Sequence, residues 1–106
     1  MSTPMPPEAE LAEFVLAQRE GARIVDVREP AEFAAGHVPG AVSVPLSVLH
    51  DRLSEMDASG VLYVICKSGR RSLRAAAMLI DAGHKAVSVA GGTDAWSRSG
   101  HPITEG

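Results

Sequence analysis

The sequence predicts an α/β protein built on a central parallel sheet of four to five strands, with helices on both faces. Strand-like and helix-like segments alternate along the chain, which is the pattern of successive β-α-β units. The segment 61–65 is apolar throughout, as in a parallel strand that is buried on both faces. The length of 106 residues suits one domain, 1–106, with a core over about 7–102.

Turn and capping residues separate the predicted elements. A first helix is expected after Pro7 and ends at Gly21, with an apolar stripe at Leu11, Phe14 and Val15. The elements that follow are a strand at 24–28, two helical turns at 29–36, a strand at 41–44, a helix over 45–56, the strand at 61–65, a helix over 72–82, a strand at 86–89, and a short helix capped by Thr93 and closed by Gly100.

The spacing of apolar residues predicts the buried face of the two middle helices. On the helix over 45–56 this face comprises Leu46, Leu49, Leu53 and Met56. On the helix over 72–82 it comprises Leu73, Ala76, Ala77 and Ile80.

Composition excludes several classes of protein. Thirteen acidic and ten basic residues give a net charge of −3, whereas nucleic-acid-binding domains are usually basic, so no nucleic-acid partner is expected. No apolar run approaches the ~20 residues that a membrane-spanning helix needs, so no membrane partner is expected. The first seven residues lack the features of a signal peptide, which favours a cytoplasmic location.

A single cysteine, Cys66, lies where the most apolar predicted strand ends and a loop to the next helix begins. One cysteine excludes an intrachain disulfide and a cysteine-rich metal site, and neither a metal nor a cofactor is expected. In a parallel sheet, ligands bind outside the carboxyl ends of the strands, which is where Cys66 lies. We call residues 66–72 the cysteine loop.

The composition of the cysteine loop favours an ionised thiol. The following helix start offers unpaired N–H groups, and Gly69 allows a backbone turn that points such groups inward. The basic residues in and just after the loop are Lys67, Arg70, Arg71 and Arg74. A free thiol has a pKa of about 8.5, which donors and cations of this kind lower. Cys66 is therefore the predicted nucleophile.

Three segments of the chain resemble the single-domain rhodanese-like sulfurtransferases. They are residues 24–41, with the sequences IVDVREP, EF and GHVPGA; the C-x-x-G-x-R loop of Cys66, Gly69 and Arg71; and Gly91-Gly92 followed by Trp96. The resemblance implies a rhodanese-like fold with a five-stranded parallel sheet. Four strands are evident in the sequence, and the fifth is expected only as a short strand within residues 2–5.

The resemblance also implies persulfide chemistry at Cys66. A small anionic donor such as thiosulfate would transfer its sulfane sulfur to the thiolate, and an acceptor thiol, cyanide or a partner protein would remove it. The residues predicted to bind the anion are Lys67, Ser68, Gly69, Arg70, Arg71 and Ser72. Arg71 matches the arginine that closes the family's loop.

Asp26, Arg28 and His37 are predicted to support the site from neighbouring segments. Asp26 and Arg28 lie at the end of a predicted strand, where a structural ion pair is the favoured interpretation. His37 lies in a turn, where a hydrogen-bonded structural role is favoured over proton transfer.

Two other functions are compatible with this sequence. Phosphatases and arsenate reductases of the same fold use a C-x5-R loop, but the position that would hold their arginine is Ser72 here. The shorter loop favours a cradle for one sulfur atom over a cradle for a tetrahedral oxyanion. A non-catalytic binding module is the third interpretation, and such modules usually lack the cysteine.

Overall fold

The computed structural model describes residues 5–106, and it contains one sheet of five strands. The strands are β1 (Glu8–Ala9), β2 (Arg23–Asp26), β3 (Ala41–Ser43), β4 (Val61–Ile65) and β5 (Lys85–Val89). Their spatial order is β1-β5-β4-β2-β3, and each neighbouring pair is parallel. The predicted α/β class with a parallel sheet is therefore confirmed.

Residues 5–106 contain five helices, of which four connect successive strands and the last follows β5. They are α1 (Leu11–Arg19), α2 (Pro30–Ala35), α3 (Leu46–Arg52), α4 (Arg70–Asp81) and α5 (Gly92–Arg98), with a 3-10 turn (Leu53–Glu55) after α3. Helices α3 and α4 pack on one face of the sheet, and α1 and α5 pack on the other. No helix within residues 5–106 is long and apolar enough to cross a membrane.

Side chains of the central strand β4 pack into both halves of the core. Leu62 and Val64 pack beneath α3 and α4, whereas Tyr63 and Ile65 face α1 and α5. Successive side chains of a strand point to opposite faces, so an unbroken apolar segment is what a strand with helices on both sides requires. Because β4 is the middle strand of the sheet, its end, and with it Cys66, lies at the middle of the sheet's carboxyl edge.

The prediction of the fifth strand was wrong in its position. Residues 2–4 lie outside the described residues, and Met5 is not in a strand; the fifth strand is β1 at the sheet edge. The carbonyls of Pro7 and Ala9 accept hydrogen bonds from N–H groups of β5 and the residue after it. A strand of two residues has no readable periodicity, and the prolines before it resemble a helix start, which is why the sequence predicted a helix there.

The buried face of α4 also differs from the prediction. The helix begins at Arg70 rather than residue 72, and it buries Ser72, Ala75, Ala76 and Leu79. Ile80, expected inside, is exposed. The helix is rotated so that the small polar Ser72 faces the end of β4, and apolar spacing alone does not reveal a polar residue that belongs inside. The predicted face of Leu46, Leu49, Leu53 and Met56 packs against the core as expected, although the helix predicted over 45–56 ends at Arg52 and a 3-10 turn follows it.

Candidate active site

The cysteine loop curls around the sulfur of Cys66. The Gly69 N–H donates to Cys66 Sγ at 3.1 Å, and Ser72 Oγ lies 3.4 Å from the same atom. Cys66 is only 1% exposed, because the loop and the first turn of α4 cover it. The sulfur therefore lies among hydrogen-bond donors and is shielded from bulk water.

Gly69 makes the sharp turn of the loop possible. Its φ of +105° lies in a region that side-chain-bearing residues rarely adopt, and it directly precedes the first helical residue of α4. A Cβ at this position would also lie 3.3 Å from the backbone nitrogen of Gly91. The glycine thus lets the loop turn its N–H groups toward the sulfur while it packs against the segment before α5.

The carbonyl groups of the loop point the other way, into the first turn of α5. Cys66 O accepts from the Thr93 N–H at 2.8 Å and from Thr93 Oγ1 at 3.0 Å, and Lys67 O accepts from the Asp94 N–H at 3.0 Å. Gly92 allows this approach, since a Cβ there would lie 2.5 Å from Cys66 O. The start of α5 thereby fixes the peptide unit that joins Lys67 to Ser68, and the N–H of that unit is one of the backbone donors to Cys66.

Hydrogen bonding decides the ionisation of Cys66. Burial raises the pKa of the thiol, but the Ser72 hydroxyl and the backbone N–H groups of Ser72, Gly69 and Ser68 lower it by more. The net result is a pKa below the ordinary value of a thiol. These donors favour an anion on sulfur whether it is a thiolate or a persulfide, because both present the same charge to them.

Two of the predicted anion-binding cations are already paired with acids. Arg71 forms a two-pronged ion pair with Glu32, at 2.7 and 2.9 Å, and Lys67 Nζ lies 3.0 Å from Asp94 Oδ2. Hydrogen bonds from Arg71 lower the pKa of Glu32 to about 2. Arg70 is exposed at the rim of the loop. Neutral donors, rather than unpaired positive charge, therefore form the inner wall of the site.

The family model of the rhodanese-like domain matches residues 10–99 of this chain. The chain belongs to the rhodanese-like domain family. A sulfurtransferase from Allochromatium vinosum is 38% identical over 89 residues, which cover 83% of each chain. The thiosulfate sulfurtransferase GlpE of Pseudomonas putida is 39% identical over 93 residues, covering 87% of this chain and 82% of that protein.

A solved structure shares the fold of this rhodanese domain. The rhodanese-related protein from Thermoplasma volcanium superposes with a TM-score of 0.86 at 28% identity, covering 92% of this chain and 97% of that one. The predicted membership of the rhodanese-like sulfurtransferases is therefore confirmed at the level of the family and of the fold.

The three predicted supporting residues of this rhodanese domain hold the segment around α2. Asp26 and Arg28 form a buried ion pair at 2.8 Å, and Arg28 also donates to Gly36 O at 2.8 Å. His37 Nδ1 lies 2.8 Å from Phe33 O, and the two rings stack with centroids 3.7 Å apart. Within residues 5–106, none of the hydrogen bonds of these three side chains reaches Cys66.

Three residues of the site carry roles that the sequence alone did not assign. Ser88 Oγ lies 2.7 Å from Ser72 Oγ, and the only signal for it was a serine within an otherwise apolar strand. Gly92, which the sequence indicates only as part of a family motif, is the first residue of α5 and leaves room for Cys66 O. Thr93 was expected to cap the last helix, but Gly91 is at that position and the Thr93 hydroxyl binds Cys66 O.

Other features of the described residues lie away from this site. A surface groove of about 420 Å³ is lined by Val42, Met56 and Leu62, among others, and by no residue of the cysteine loop. No group of three or more His, Cys, Asp or Glu side chains in residues 5–106 is arranged to hold a metal ion.

Proposed function

We propose that this protein is a sulfurtransferase that moves sulfane sulfur from a small anionic donor such as thiosulfate to cyanide or a thiol, through a persulfide at Cys66. The observation that carries the proposal is the arrangement of donors around a buried sulfur, with Gly69 N–H at 3.1 Å and Ser72 Oγ at 3.4 Å. A thiolate held in this way is both ionised and able to accept a further sulfur atom in the same cradle.

The first half-reaction forms the persulfide. The Cys66 thiolate attacks the sulfane sulfur of thiosulfate, a new S–S bond forms, and the original S–S bond breaks so that sulfite leaves with its electron pair. The negative charge moves to the outer sulfur, within reach of the loop donors. The lowered pKa of Cys66 increases the fraction of the thiolate, which is the form that attacks.

The second half-reaction restores the enzyme. The carbon of cyanide, or the sulfur of an acceptor thiolate, attacks the outer sulfur, and the Cys66 S–S bond breaks. The product is thiocyanate or a new persulfide, and the Cys66 thiolate returns. A partner protein that presents a thiol would serve as acceptor in the same way. Lys67, Ser68 and Arg70 are exposed in the loop, where they are accessible to an approaching anion.

The geometry of Arg71 favours this function over phosphatase or arsenate-reductase chemistry. An oxyanion clamp needs an arginine directed at the bound group, but both terminal nitrogens of Arg71 are bonded to Glu32. The loop from Cys66 to Arg71 also has four intervening residues, one fewer than the C-x5-R pattern.

The test compares the protein with Cys66→Ser in two assays, thiocyanate formation from thiosulfate and cyanide, and hydrolysis of an aryl phosphate. We expect the unaltered protein to form thiocyanate, the variant to form none above the uncatalysed rate, and neither to hydrolyse the phosphate. Because Cys66 is the only thiol, the substitution removes a single chemical function. Thiocyanate formation by Cys66→Ser, or efficient phosphate hydrolysis by the unaltered protein, would overturn the proposal.

A further inference from the structure

Ser88 is a buried hydroxyl next to the site that the proposed mechanism does not use. It lies on β5, is 0% exposed, and is on the same side of the sheet as α4. Its Oγ is 2.7 Å from Ser72 Oγ, which in turn is 3.4 Å from Cys66 Sγ. Within residues 5–106, Ser72 is the single hydrogen-bond partner the structure gives to this hydroxyl. Cys66, Ser72 and Ser88 thus form a chain with two links.

The number of protons in this chain of hydrogen bonds depends on whether Cys66 is a thiol or a thiolate. Each serine carries one hydroxyl proton, so the thiolate form has two protons for two links. Ser88 then donates to Ser72, Ser72 donates to sulfur, and both buried donors are satisfied. The thiol form has three protons for the same two links, so one buried donor is left without an acceptor. An unsatisfied buried donor is unfavourable, and the chain therefore favours the thiolate.

We propose that Ser88 is a positioning residue whose hydroxyl donates to Ser72 Oγ and so commits the Ser72 proton to Cys66 Sγ. The inference rests on the proposed function for the role of the Cys66 thiolate. Ser88 does not touch the sulfur itself; without it, the Ser72 hydroxyl is free to rotate away from Cys66. A backbone donor cannot rotate in this way, and the Ser68 N–H is held further because Asp94 N–H binds Lys67 O of the same peptide unit.

Three cations near the hydrogen bonds of Cys66, Ser72 and Ser88 are paired with acids, so they do not substitute for this effect. From α4, Arg71 is bonded to Glu32 of α2. From the cysteine loop, Lys67 is bonded to Asp94 of α5. The buried ion pair of Asp26 and Arg28 closes the neighbouring strand end. Arg70, at the start of α4, is exposed, so water screens its charge, and hydrogen bonding remains the adjustable influence on Cys66.

The test measures the rate of Cys66 alkylation by iodoacetamide against pH, which requires no sulfur transfer. We expect Ser88→Ala to raise the midpoint by about half a pH unit or more, which is about 3-fold less thiolate at a pH below both midpoints. Ser88→Thr keeps the hydroxyl and should leave the midpoint where it is in the unaltered protein. Circular dichroism verifies that each variant is folded.

A double-mutant cycle separates positioning from a general packing effect. If Ser88 acts through Ser72, then Ser88→Ala has no further effect on the midpoint in a Ser72→Ala background. An unchanged midpoint in folded Ser88→Ala would overturn the proposal. The proposal would also be overturned if Ser88→Ala shifted the midpoint as much in the Ser72→Ala background as it does in the unaltered protein. A shift that follows this pattern in a protein unable to form a persulfide would support the role of Ser88 and reject the proposed function.

Discussion

Arg71 and Glu32 join the cysteine loop to α2 through two parallel hydrogen bonds. The side chains are 35% and 31% exposed, so the pair is partly screened by water, but its two-pronged geometry makes it stronger than a single surface contact. The pKa of Glu32, near 2, shows that its ionised form is the one stabilised by folding. Arg71, which is predicted to bind the anion, is thus held in an ion pair that ties the cysteine loop to α2.

Glu32→Gln tests this role through pH. The pKa of Glu32 is lowered from 4.5 to about 2, so the stabilisation is fully present above pH 4.5 and is lost as pH falls toward 2. We expect the variant to lose about 1 kcal/mol of unfolding free energy at pH 7. The difference in unfolding free energy between the variant and the unaltered protein should narrow below pH 4.5. Urea denaturation at a series of pH values measures both. Glu20→Gln, which removes an exposed carboxylate, is the control. If the difference in unfolding free energy between Glu32→Gln and the unaltered protein stays constant with pH, the role of the Arg71–Glu32 ion pair is contradicted.

At the scale of elements, the site forms where β4, α4 and the start of α5 meet. The start of α5 binds the carbonyls of Cys66 and Lys67, and the Ser68 N–H, in the same peptide unit as Lys67 O, is one of the donors to the sulfur. The contact depends on Gly92, whose missing Cβ leaves room for Cys66 O and Lys67 O. The sequence predicted the loop and the helix behind it, but it assigned α5 no part in the site.

Gly92→Ala should therefore be far more disruptive than a glycine replacement that meets only open space. The new Cβ would lie 2.5 Å from Cys66 O and 2.6 Å from Lys67 O. Gly21 also has a positive φ, +82°, but no atom lies within 4 Å of a Cβ placed there. We expect Gly92→Ala to cost at least ~2 kcal/mol more than Gly21→Ala in urea denaturation, because backbone clash is added to the strain that both share. Equal losses would show that the contact with α5 is not tight.

At the scale of the whole molecule, the features that the sequence predicted correctly are those that depend on residues close together in the chain. The buried strand β4, the sheet class and the position of Cys66 at the sheet's carboxyl edge follow from apolar runs and turn residues that are close together in the chain. The strand β1 was placed wrongly because two residues carry no pattern.

The partners of the cysteine loop could not be predicted because they come from distant segments. Glu32 is 39 residues from Arg71, Asp94 is 27 residues from Lys67, and Ser88 is 16 residues from Ser72. The sequence shows the charges but not which of them meet, since pairing depends on the register and order of the strands. For this reason it predicted cations free to bind an anion, where the fold pairs Lys67 and Arg71 with acids.

The central claim is that the Cys66 thiolate takes up one sulfur atom, and intact mass spectrometry tests it most directly. The protein is incubated with thiosulfate, freed of excess reagent and weighed, then treated with cyanide and weighed again. We predict a gain equal to one sulfur atom, lost again after cyanide, and no gain in Cys66→Ser. An unchanged mass in the unaltered protein, or the same gain in the variant, would contradict the account.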